Sequence, residues 1–176
     1  GALDSTFGHE GWAFTENQTE IGSAIVQPNG ELVVALQNHD QPLARFHIDG
    51  SVDTVFANTL RSDIERVRRG VYDWHRVSSW SQVAMTANQD FIVGGAGIDD
   101  PRGGTDMRFV KILADGRLDV RFGKHQGIAE VTLLQYRTAT MTSFALDGYA
   151  VIAVGAASPT HVDTDGHTES RGVALR

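Results

Sequence analysis

Short apolar runs alternate with turn-forming residues along this chain of 176 residues. The runs LVVAL, FIVGG and YAVIAV each follow a turn, and these turns start at Gln27, Ala87 and Ala145. β-branched runs of this length predict strands, and the pairs Asn29-Gly30 and Asp147-Gly148 tolerate the positive φ of a tight hairpin. The pattern therefore predicts an all-β chain whose hairpins recur about every 60 residues.

A six-residue phrase recurs ahead of these hairpins, as LDSTFG at Leu3, VDTVFA at Val52 and LDVRFG at Leu118. It divides the chain, taken as a single domain, into repeats 3–51, 52–117 and 118–176. Four strands are predicted in each: strand A after the phrase, as in WAFTE, then B (GSAIVQ), C (LVVAL) and D (LARFHI). Strand C is the most apolar and is expected to be buried on both faces. Three four-stranded antiparallel blades of a β-propeller are the predicted fold.

The first repeat, with LDSTFG, QPNG, LARF and DGSVD, resembles the delta-60 repeat family, and the resemblance extends with more divergence over almost the entire chain. It implies β-propeller-like repeats of bacterial proteins that are often exported, to the periplasm or the medium. It implies no reaction and no catalytic residues.

The phrase carries one aromatic and one acidic residue at a constant position. The aromatic rings are expected to fill the wedge between adjacent blades: Phe7, Phe56 and Phe122. The carboxylates are expected to accept turn N–H groups or to pair with the basic residue of strand D, which is Arg45, Lys111 or Arg176. These carboxylates are Asp4, Asp53 and Asp119. A ring of ligands for a bound group is the alternative interpretation.

Composition narrows the classes of partner and chemistry. The chain has no cysteine, which excludes thiol catalysis and cysteine-ligated metal sites. The formal net charge of -7 argues against nucleic acid as the main partner. The sequence contains no apolar run of the roughly 20 residues that a membrane-spanning helix needs.

The second repeat contains an insertion between Phe56 and Gly70. The segment SDIERVRR predicts a short helix with Ser62 as N-cap, a capping box completed by Glu65, and an end at Gly70. An aromatic and basic stretch follows it, and one hypothesis is that this region binds an anionic, saccharide or peptide ligand. Its residues are Arg68, Arg69, Tyr72, Trp74, His75 and Arg76. The alternative is that Tyr72, Trp74 and Trp80 point into the core.

The loops between strands C and D lengthen along the chain and are acidic, so they predict one acidic face, with the helical insertion near the opposite face. Their acidic residues are Asp40, Asp99, Asp100, Asp106, Asp163, Asp165 and Glu169. In the third loop four residues offer oxygen and imidazole ligands for calcium or another divalent metal: His161, Asp163, Asp165 and His167. A solvated loop without metal is the alternative, because no full EF-hand pattern is present.

These features favour a non-enzymatic binding or scaffolding module without a cofactor. The alternative is a saccharide-active hydrolase or lyase that uses carboxylates of the acidic loops as acid and base. Three blades are fewer than the usual four to eight of a closed ring, so we expect a homodimer that completes the propeller. Tight closure by three blades, or a place within a larger propeller, are the other arrangements.

Overall fold

The computed structural model describes residues 1–15, 19–38, 40–69, 77–97, 105–124, 126–133, 136–148, 150–159 and 171–175. These residues form three antiparallel sheets and one helix. The first sheet comprises β1 (Ile21–Val26), β2 (Leu32–Leu36) and β3 (Leu43–Phe46). The second comprises β4 (Val77–Met85), β5 (Phe91–Gly97), β6 (Met107–Ile112) and β7 (Ile128–Val131). The third comprises β8 (Tyr136–Asp147), β9 (Ala150–Pro159) and β10 (Arg171–Leu175).

The predicted strands B, C and D form the three sheets in that order, which confirms the all-β character. The prediction of four strands in every blade is wrong for the described residues, where only the second sheet has a fourth strand. That strand, β7, belongs to the third repeat and pairs with β6 of the second. In the first repeat the expected strand A is missing as well, because Trp12 makes only an isolated bridge with His9. Within the described residues none of these sheets closes on itself.

The helix α1 (Thr54–Arg68) begins nine residues earlier than predicted, because its N-cap is Asp53 and not Ser62. Its N-cap is Asp53, whose carboxylate accepts the N–H of Phe56 at 2.9 Å. The phrase VDTVFA thus opens a helix, whereas the first and third copies form turns. In those copies a glycine with positive φ follows the phenylalanine, Gly8 at 60° and Gly123 at 69°. The second copy has Ala57 there, so the helix can continue.

The apolar stripe of α1 explains why the helix forms against the sheets. Its buried residues recur with helical spacing: Phe56, Ala57, Leu60, Ile64 and Val67. The far end of the helix reaches the loop between β2 and β3, where Arg68 pairs with Asp40 and Arg61 donates to Gln41 at 3.2 Å. The predicted position of the insertion, on the face opposite the C–D loops, is therefore wrong for the first repeat, whose C–D loop contacts the helix through Asp40 and Gln41.

The second sheet lies between the other two, and its side chains alternate between two cores. One core joins it to the first sheet and to α1, with Phe91, Val93 and Trp80 among its buried members. The other joins it to the third sheet through Ile92 and Phe109. The strands β2 and β5 are accordingly buried on both faces, as predicted for strand C. In the third repeat β9 differs, because Val154 is 42% exposed.

Close contact between β1 and β4 lets the first sheet pack on the second. A Cβ on Gly22 would lie 2.3 Å from the carbonyl oxygen of Ser81, so only glycine permits this approach. The neighbouring Ser23 Oγ accepts the N–H of Val83 at 2.9 Å and satisfies an edge donor of β4.

In the described part of the chain, no helix combines the length and the apolar character needed to cross a membrane.

Candidate functional site

The repeated acidic residue of the phrase is bound in two copies to the basic residue of strand D. The carboxylate of Asp53 accepts Nε of Arg45 at 2.9 Å and its Nη2 at 2.7 Å. Asp119 accepts Nζ of Lys111 at 3.4 Å and the N–H of Arg121 at 3.1 Å. In the first copy Asp4 accepts the N–H and the hydroxyl of Thr6. The carboxylates of Asp4 and Asp119 therefore hold their own turns, whereas that of Asp53 caps α1. The third basic residue, Arg176, lies outside the described residues.

A second acidic residue joins each of the two pairs from the start of strand C. Glu31 lies 3.6 Å from Arg45, and Asp90 lies 2.9 Å from Lys111. Their turns share one hydrogen-bond pattern, in which the N–H of Gln27 donates to Glu31 and that of Thr86 donates to Asp90, both at 2.8 Å. The counterpart of Gln27 is thus Thr86, one residue before the predicted Ala87, because Gln89 takes the positive φ of Gly30.

A groove with a volume of 670 Å³ lies beside the cluster of Lys111, Asp90 and Asp119, between the second and third sheets. The turn between β4 and β5 and the hairpin between β8 and β9 form its walls. Six residues account for its character: Asp90, Ile92, Lys111, Phe122, Leu146 and Val151. Arg121 and Asp119 lie at its rim. The groove therefore combines an apolar floor with charges of both signs, as small-molecule and peptide sites commonly do.

Lys111 and Asp119 form an ion pair at the groove, and the pKa values of both are shifted away from neutral pH. The hydrogen bond to Asp90 raises the pKa of Lys111, and the nearby carboxylates outweigh the opposing effect of burial. Partial burial alone would raise the pKa of Asp119. The Arg121 N–H and the Lys111 ammonium together have a larger effect in the opposite direction, so the pKa lies below its usual value. Both shifts move these groups away from neutral pH, so the cluster presents fixed charges rather than a proton donor or acceptor.

One side chain that lines the groove is smaller than its counterpart in the preceding interface. The pairs that face the preceding sheet are Met85 with Phe91 in the second sheet and Leu146 with Val151 in the third. Phe91 is fully buried against the first sheet and α1, whereas its counterpart Val151 is smaller and only half-buried. The space that an aromatic ring fills in one interface is therefore open in the next.

The predicted ligand-binding stretch is described only in part. Arg69 caps the C-terminus of α1, and Arg68 pairs with Asp40 beside the first sheet. Tyr72, Trp74, His75 and Arg76 lie outside the described residues, while Trp80 is fully buried on β4. Among the described residues, the lining of the groove includes none of Arg68, Arg69 and Trp80 and comes from the second and third repeats.

The predicted metal ligands His161, Asp163, Asp165 and His167 lie outside the described residues, as do Asp99, Asp100 and Glu169. Asp106 was expected on an acidic surface but is only 3% exposed, because it immediately precedes the buried strand β6. Elsewhere Glu31, His47 and Asp53 bring potential ligand atoms within 4.8 Å of one another. The single positive charge of the Arg45 guanidinium is shared between the two carboxylates, 3.6 Å from Glu31 and 2.7 Å from Asp53.

The three phenylalanine rings at the constant position of the phrase are buried to different degrees. Phe56 is fully buried, whereas Phe122 and Phe7 are half-buried. The sequence signalled Phe122, Asp119 and Lys111 through their repeat positions, but it did not reveal the groove. The replacement of Phe91 by Val151 would have been the signal, but the predicted alignment of Ala87 with Ala145 placed Phe91 opposite Tyr149, two residues before Val151.

No family model matches this chain, and no curated protein matches it significantly.

Proposed function

We propose that this chain is a non-enzymatic binding or scaffolding module and that its ligand site is the groove between the second and third sheets. The observation that carries the proposal is the groove itself, with its apolar floor of Ile92, Phe122, Leu146 and Val151. The paired charges at its rim support binding rather than proton transfer, because neither Lys111 nor Asp119 changes its ionisation near neutral pH.

A fragment screen followed by two-dimensional 15N–1H NMR tests this function. Fragments at millimolar concentration are expected to shift amide signals of Ile92, Phe122 and Val151, since a groove of 670 Å³ holds a drug-sized molecule. Shifts scattered over the surface, or none at all, would contradict the proposal. The matched control is Gly172→Ala on β10, which has open space around it and should leave the spectrum of hits unchanged.

The resemblance to delta-60 repeats extends the proposal to architecture and location. We infer that the three sheets are blades of a propeller-like assembly in an exported bacterial protein, and that a second copy of the chain completes the ring. The outer face of the third sheet supports this inference. Val154 and Ala174, which pair between β9 and β10, are exposed there together with Ala145. The corresponding faces of the first two sheets are covered by the next sheet.

Size-exclusion chromatography with light scattering tests the assembly. The expected mass is twice the 19.1 kDa of one chain, because docking of a second copy removes the apolar face around Val154 from water. The variant Val154→Lys should shift the protein to the monomer without unfolding it. A monomer of 19.1 kDa for the unmodified chain at concentrations up to about 1 mM would refute the homodimer while leaving the groove intact.

A further inference from the structure

The interface between the first and second sheets shows what fills the position of the groove when the repeat is complete. The rings of Phe56 and Phe91 meet edge to face with centroids 6.0 Å apart, and both are fully buried. The guanidinium of Arg45 lies over the Phe56 ring, 4.5 Å from its centroid. Two aromatic rings and one cation thus close this interface.

The interface between the second and third sheets keeps two of these three groups. Phe122 occupies the repeat position of Phe56, and Lys111 occupies that of Arg45, each beside the equivalent carboxylate. The third group, the ring of Phe91, is replaced by the smaller Val151. The open volume therefore lies beside an aromatic side chain and near a cation that is already held in place by Asp90 and Asp119.

We propose that the groove binds an aromatic side chain of a peptide, whose ring takes the place that Phe91 fills in the preceding interface. This proposal rests on the binding function proposed above. An aromatic ring gains an edge-to-face contact with Phe122, which an aliphatic group of the same size cannot make.

The electrostatics of the site favour a neutral segment around that ring. Four of the described charged side chains line the groove, and the charges of Asp90 and Asp119 balance those of Lys111 and Arg121. Each carboxylate is within 3.5 Å of a cation, which leaves no unbalanced charge to select an ionic ligand. Binding is therefore expected to depend little on ionic strength.

Two blocked amino acids test the proposal: N-acetyl-phenylalaninamide and its cyclohexylalanine analogue, which has a similar shape without a π-system. In NMR titrations of the full chain, the phenylalanine probe should shift amides of Ile92, Phe122 and Val151 and bind about three-fold or more tightly than the analogue. The variant Phe122→Leu should bring the two affinities together. Val151→Phe should abolish both sets of shifts, because it places the ring of the preceding repeat in the groove.

A matched control is Val26→Phe, which makes the same substitution at an exposed position of β1, outside both the groove and the third sheet, and should leave binding unchanged. Circular dichroism should show that Val151→Phe keeps the fold. Equal affinity for the two probes would overturn aromatic selection. If library fragments shift groove residues but the phenylalanine probe does not, this proposal fails while the proposed binding function stands. If neither does, the proposed function fails as well.

Discussion

Replacement of Phe56 by alanine should destabilise the protein by about 3–5 kcal/mol, the largest loss expected from one substitution in the phrase. The ring is fully buried, contacts Phe91 edge to face and lies under the Arg45 guanidinium. Its loss removes apolar burial from the core and leaves a cavity at the point where α1, the first sheet and the second sheet meet. Urea denaturation followed by circular dichroism at pH 7 measures the difference.

Phe122→Ala is the matched control, since it makes the same change at the same position of the phrase. Phe122 is half-buried at the groove, so we expect a loss of less than half that of Phe56→Ala. Similar losses for the two variants would show that the rings are equivalent supports of their interfaces. In that case the groove would not be an opening left by incomplete packing.

The hairpins of this fold could be predicted from the sequence because their signals are local. A turn with a residue of positive φ between two apolar runs specifies neighbouring antiparallel strands, and β1 to β2 and β8 to β9 follow this rule. The pairing of Asp53 with Arg45 could also be predicted, because both residues stand at constant positions of the repeat. Both features depend on residues close in sequence, since Arg45 and Asp53 are only 8 residues apart across a repeat boundary.

The helix was harder to predict, because the sequence of its first turn resembles the other copies of the repeated phrase. VDTVFA resembles LDSTFG, yet Ala57 stands where Gly8 and Gly123 adopt positive φ. Asp53 can cap a helix as readily as it can hold a turn, so the phrase alone does not decide between them. Had the absence of a glycine after Phe56 been taken into account, the predicted N-cap would have moved from Ser62 to Asp53.

The groove could not be predicted from any one segment. It depends on the size of Val151 relative to Phe91 and on the position of both against a sheet from the preceding repeat. The addition of β7 to the second sheet is equally non-local, since a strand of the third repeat pairs with β6. Such features follow from packing between repeats, which the pattern of hydrophobic residues within each repeat does not encode.

Asp53→Asn should lower stability at pH 7 by about 1–3 kcal/mol and should flatten its dependence on acid. Asparagine keeps the N-cap of α1 but removes the ion pair with Arg45, whose side chain is only 16% exposed. Burial alone would raise the pKa of Asp53. The N–H of Phe56 and the Arg45 guanidinium together have a larger effect in the opposite direction, so the pKa lies below its usual value.

Because the folded pKa is depressed, the stabilisation from Asp53 is fully present above the unfolded pKa of about 3.9 and is lost as the pH falls through the folded value. Urea denaturation from pH 7 to pH 3 should therefore show the two proteins converging below about pH 4. Asp49→Asn is the control, because the side chain of Asp49 is exposed and accepts the N–H and the hydroxyl of Ser51 in its own turn. It should cost less than about 0.5 kcal/mol at pH 7. A constant gap between wild type and Asp53→Asn across this range would mean that the ion pair with Arg45 does not stabilise the fold.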